Sequence, residues 1–198
     1  MTFTNTSRWW LVALLVLTGF AGPSAVVGMN EKPVLSLTAF AVDRGRPQAR
    51  TGTLDIVIER WSTAEEQEQL RATLAAKGSS ALLSALTAIK PRAGYIRGSA
   101  SLGWDIHFAR ELSLPQGGRR VIFATDRPMS FWELWQRPRS ADYEFTLAEI
   151  RLAPDGKGEG KLVTAAKVTW NEVARTVEIE NYAFEPVRLN EVRVVNAR

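Results

Sequence analysis

Apolar and polar positions alternate along much of this chain with the period of a half-buried strand, and one central stretch switches to the period of a helix. Val34 to Val42 reads as a first strand. The Gly, Pro and charged residues at 43 to 52 read as a loop. Leu54, Ile56 and Ile58 then share one face, with Asp55 and Glu59 on the other. Ser62-Thr63-Ala64-Glu65 fits a capping box, in which hydroxyl and carboxylate satisfy each other's backbone donors. It predicts a helix over 63–77, with Leu70 and Leu74 facing the core and Gly78 as the stop. A second helix over 80–90 carries Leu82, Leu83, Leu86 and Ile89 and ends at Pro91.

The remainder reads mostly as strands: 94–97, 104–112, 119–125, 143–152, 161–170, 173–182 and 187–195, with a turn of helix at 131–135. Short connections after residue 140 predict sequential antiparallel neighbours. The predicted class is mainly β (α+β), a curved antiparallel sheet with an inserted helical hairpin. It closes as a lipocalin-like barrel, or it stays flatter with the helices on one face. Val121 to Ala124 is apolar on both faces, so that strand is expected to be covered on both sides and the barrel is favoured.

The first 28 residues stand apart. Arg8 is their only charged side chain, and Trp9 to Phe20 is an apolar run of 12, followed by small residues. That is the layout of a secretory signal peptide. The run is short beside the roughly 20 residues a bilayer-spanning helix needs. The expectation is a cleaved leader at 1–28, a single domain at 29–198 without a transmembrane segment, and a periplasmic or extracellular location. The chain has no cysteine, which excludes disulfides, thiol nucleophiles, cysteine metal sites and lipoprotein attachment. A formal net charge of +4, with arginines only loosely grouped, lacks the dense basic stripe of a nucleic-acid binder.

Candidate chemistry is sparse. His107 is the only histidine. Strict alternation puts Trp104, Ile106 and Phe108 on one face and Asp105 and His107 on the other, a D-x-H pair that could serve a hydrolase. A metal site wants three or more ligands, and none is expected here. There is no nucleophile elbow, no dinucleotide fingerprint and no phosphate loop, so no cofactor is expected. Gly156-Lys157-Gly158-Glu159-Gly160 leads into a strand and reads as a hairpin loop. Residues 124–135 hold three aromatics near charged groups, which suits either a plug over a barrel end or a ligand pocket. Trp104, Arg127, Phe131, Trp132 and Trp135 are the candidate ligand-binding residues, with Asp126 and Arg127 expected to fix the turn.

The segments IERWST, GYIR, SLGWD, PQGGRR, ATDRPMSFWE and GKGEGK resemble a family of predicted secreted bacterial proteins, over residues 52 to 195. The resemblance implies export and bacterial origin and carries over no catalytic residue. Three functions are therefore weighed. One is a non-enzymatic exported envelope protein that binds an apolar or amphipathic small molecule or a partner. The others are a secreted hydrolase using Asp105 and His107, and a structural envelope component.

Overall fold

The computed structural model describes residues 32–44, 49–98, 103–126, 145–174, 176–181 and 185–197. The expected leader at 1–28 lies outside them, as do Arg127, Phe131, Trp132 and Trp135. The order of elements is β1 (Leu35–Asp43), β2 (Arg50–Ile58), α1 (Ala64–Lys77), α2 (Ser79–Ala88), β3 (Gly94–Gly98), β4 (Trp104–Ser113), β5 (Arg119–Thr125), β6 (Phe145–Leu152), β7 (Lys157–Asn171), β8 (Thr176–Asn181) and β9 (Val187–Ala197). No helix among the described residues is long and apolar enough to cross a membrane.

Eight strands close into an antiparallel barrel in the order β1–β2–β3–β4–β5–β6–β7–β9 and back to β1. Closure comes from the first and last strands. Leu35 pairs with Ala197 and Ala41 with Leu189 across β1 and β9. On the far side of β9, Lys157 pairs with Arg193 and Leu162 with Val187. The inward positions are those the alternation predicts: Leu35, Leu37, Leu54, Ile56, Ile58, Ile96, Ile106, Val121, Phe123, Ile150 and Leu152 form one buried cluster. A barrel of this size is just wide enough for side chains to fill, and apolar side chains occupy these positions. The expected two-sided burial of β5 is present, since Val121 and Phe123 face the barrel and Ala124 joins a second cluster outside it.

That second cluster is the seat of the helical hairpin. Leu70 and Leu74 of α1 and Leu82 and Leu86 of α2 bury against Ala124, Phe145, Ala166 and Val168 on the outer face of β5, β6 and β7. The capping box sits one residue later than its sequence pattern suggests. Thr63 Oγ1 accepts from Glu66 N at 3.2 Å, and Glu66 Oε2 accepts from Thr63 N at 3.0 Å. Ser62 is otherwise engaged: its hydroxyl accepts from Ala109 N at 3.1 Å, and its own N–H donates to Ala109 O at 2.8 Å. The segment after β2 thus passes the end of the short β3 and bonds to β4. Trp61, on that segment, packs against the interior cluster.

Two expectations are corrected in the C-terminal strands. β9 is not the neighbour of β8; it pairs with β7 and β1. The reason is the 15-residue length of β7. One edge of β7 is shared in series, Lys157–Leu162 with β9 and Ala166–Asn171 with β8. The β7–β8 pair therefore projects as an arm, where Val173, Val177 and Ile179 are exposed. The second correction concerns Gly158 and Gly160, which lie inside β7 and not in the turn. A Cβ at Gly158 would overlap the carbonyl oxygen of Arg151, and one at Gly160 would sit 2.6 Å from the carbonyl oxygen of Glu149. Bare glycine lets β7 fold closely over β6 where the barrel turns.

Candidate functional site: the polar end of the barrel

A β-bulge decides where the lone histidine goes. Ile106 pairs with Thr125 and Phe108 with Ala124, so β4 has one residue more than β5 at this point. His107 is that extra residue. The bulge resets the alternation. Ile106 and Ala109 both join the interior cluster, while Phe108 packs with the helices outside. The expected face of Trp104, Ile106 and Phe108 is thereby corrected, because a single inserted residue inverts every side chain beyond it.

His107 is 2% exposed, one of the few buried polar residues of the described structure, with Ser62, Thr125 and Thr146. Its Nε2 lies 3.4 Å from Oδ2 of Asp126, the first residue after β5. The strand register assembles the rest. Thr125 stands opposite Ile106 on β4 and opposite Thr146 on β6. Thr146 Oγ1 donates to Thr164 O at 2.9 Å, where β7 carries a bulge of its own between Val163 and Ala166. Four adjacent strands thus contribute a band of polar groups to one end of an otherwise aliphatic barrel. Within that band, His107 Nδ1 and Asp126 Oδ1 are buried and have no hydrogen-bond partner among the described residues.

Asp105 takes no part. It accepts from Arg92 Nη1 at 2.6 Å on the outer face, and Arg92 also donates to both carboxylate oxygens of Glu59 at 3.0 and 2.9 Å. Glu59 first, and then Asp105, push the Arg92 guanidinium above its ordinary pKa, with burial acting the other way. The same guanidinium lies over the Tyr95 ring at 5.0 Å. Asp105 and His107 are therefore not a pair: one is a surface ion-pair partner, the other is buried beside Asp126.

Trp104, the first residue of β4, is half-buried and packs against the interior cluster. Arg127, Phe131, Trp132 and Trp135 lie outside the described residues. A separate groove of about 360 Å³ lies across β1, β2 and β9, lined by Thr38, Phe40, Thr53, Glu191 and Arg193. None of its lining residues belongs to the polar band. Among the described residues no group of three His, Asp or Glu side chains could hold a metal ion.

The chemistry open to the polar end follows from its partners. A carboxylate beside Nε2 favours a proton on that nitrogen, and in the neutral ring this leaves Nδ1 as a hydrogen-bond acceptor. Acyl transfer also needs a hydroxyl at the histidine. The Ser62 hydroxyl accepts from Ala109 N, and that of Thr146 donates to Thr164 O. The sequence displayed Asp126 but not its partnership with His107. A bulge is set by pairing with another strand, and local alternation carries no mark of it.

Set against known proteins, the chain matches no family model, no curated protein and no solved structure.

Proposed function

We propose that this is an exported, non-enzymatic protein of the bacterial envelope that binds a small amphipathic molecule at the polar end of its barrel. The observation that carries the reading is the buried pair of unpartnered acceptors, His107 Nδ1 and Asp126 Oδ1, at the edge of an aliphatic interior. A buried polar atom without a partner costs about 1–3 kcal/mol, so such groups persist where something else satisfies them. A ligand with a polar head and an apolar body suits a polar band on a strand that begins at the half-buried Trp104. Export follows from the leader-like N-terminus, and a barrel is a common scaffold for such binding.

The hydrolase alternative draws support from the carboxylate beside His107 and loses it at the nucleophile, as no described hydroxyl is hydrogen-bonded to His107 Nδ1. The test is a thermal melt of the purified protein with and without a lipid and metabolite extract of the cells that make it. A ligand at this end raises the midpoint for the native protein and leaves His107→Phe unmoved. An equal rise in the variant would place binding elsewhere on the molecule.

A further inference from the structure

We infer that the molecule bound at the polar end is an amine, presenting an ammonium group to His107 and Asp126. This rests on the reading of that end as a ligand site and adds the chemical class of the ligand. The argument is one of hydrogen-bond balance. Asp126 Oδ2 faces Nε2 of His107 at 3.4 Å, so the ring proton belongs on Nε2. In the neutral ring Nδ1 then carries a lone pair and no hydrogen, and it is an acceptor. The second carboxylate oxygen, Oδ1, is also an acceptor. Both are buried, and neither receives a hydrogen from any described residue.

The other polar groups of the band do not supply the missing hydrogens. The Thr146 hydroxyl donates to Thr164 O. The Ser62 hydroxyl accepts from Ala109 N, and its own hydrogen reaches neither His107 Nδ1 nor Asp126 Oδ1. The site is therefore rich in acceptors and carries the formal negative charge of Asp126. A carboxylate ligand would bring further acceptors and like charge to buried oxygen atoms, which is unfavourable on both counts. An alcohol offers one hydrogen for two acceptors. A primary ammonium offers three hydrogens and the opposite charge, and hydrogen bonds with an ionised partner are roughly twice as strong as neutral ones.

The single histidine makes the test direct, because an imidazole ¹⁵N spectrum of the labelled protein contains one ring. In the free protein Nε2 should carry the proton and Nδ1 none. Hexylammonium, hexanol and hexanoate share an apolar tail and differ in the head. Hexylammonium is expected to shift both ring nitrogens and to bind about tenfold more tightly than hexanol, with hexanoate weaker still. Asp126→Asn, which removes the charge, should erase the preference for the amine. Binding of hexanol or hexanoate as tight as that of hexylammonium overturns the amine class and leaves the ligand site standing. A proton found on Nδ1 in the free protein overturns the balance argued above. Ring signals that none of the three probes moves, and that an extract of the producing cells also leaves unchanged, remove the ligand site itself.

Discussion

Glu66, half-buried in the first turn of α1, carries more of the local structure than a single helix carboxylate usually does. Its carboxylate closes the capping box on Thr63 N and takes two hydrogen bonds from Arg60, both at 2.9 Å. Arg60 in turn donates to Pro91 O beyond α2, so one ion pair ties both ends of the helical hairpin to the chain after β2. Glu66→Ala should cost about 1–2 kcal/mol in a denaturant titration, the sum of a cap and a partly exposed ion pair. Glu66→Gln should cost less, because a glutamine still closes the box. The hydrogen bonds from Arg60 hold the Glu66 carboxyl below the ordinary glutamate range. A depressed folded-state pKa contributes stability above the unfolded value, which is lost as the pH falls through the folded one. Native protein should therefore lose stability below about pH 4.5, and Glu66→Gln should lose less over the same window. Glycines divide in the same physical way. Gly158→Ala forces a Cβ into the Arg151 carbonyl and should cost about 3 kcal/mol or more. Gly78→Ala meets open space, so what remains is the backbone cost of holding a side chain at φ 80°, ψ −171°, a region kept almost entirely by glycine, about 1–3 kcal/mol. Paired melts of the two variants separate steric from conformational cost. At this scale the sequence was readable to within one residue and no better. Ser62-x-x-Glu65 and Thr63-x-x-Glu66 both fit the box, and only the contact of Ser62 with Ala109 chooses between them. His107 shows the same limit more sharply, since its burial depends on one residue of bulge that β5 imposes.

At the scale of elements, the alternation of Leu54, Ile56 and Ile58 and the helical spacing of Leu70, Leu74, Leu82 and Leu86 located strands and helices close to where they lie. These signals are legible because each element must bury one face, and the face is written in its own residues. What each element packs against is not written there. The hairpin covers β5, β6 and β7, and the apolar outer face of those strands was visible in advance only at Ala124. Leu74 is 3% exposed between the helix and the sheet. Leu74→Ala should cost about 2–4 kcal/mol by denaturant unfolding while leaving the strand circular dichroism of the folded state unchanged. The β7–β8 arm is the opposite case. Among the described strands β8 pairs only with β7, and Val177 and Ile179 remain exposed. Local opening requires little loss of burial there, so β8 amides should exchange with deuterium well before those of β1 and β9. Equal protection across the three strands would contradict the assignment of β8 as an arm outside the closed ring.

At the largest scale the described domain is an apolar-filled barrel closed by its first and last strands, β1 and β9. β1 meets β9 across almost the full length of the domain, and no local pattern encodes a pairing between residues so far apart in sequence. Curvature was inferable from β5, whose two apolar faces demanded cover on both sides; closure was not. The same distance explains why the site was only half visible. Its members come from β4, the end of β5, β6 and β7, and only the ring brings them together. The central claim is that this polar end exists to hold a ligand. It is tested most directly by native mass spectrometry of the protein purified gently from the cells that produce it. The account predicts one stoichiometric extra mass on the native chain, absent from a folded His107→Phe variant. A bare chain mass, or an extra mass that His107→Phe retains, would contradict it.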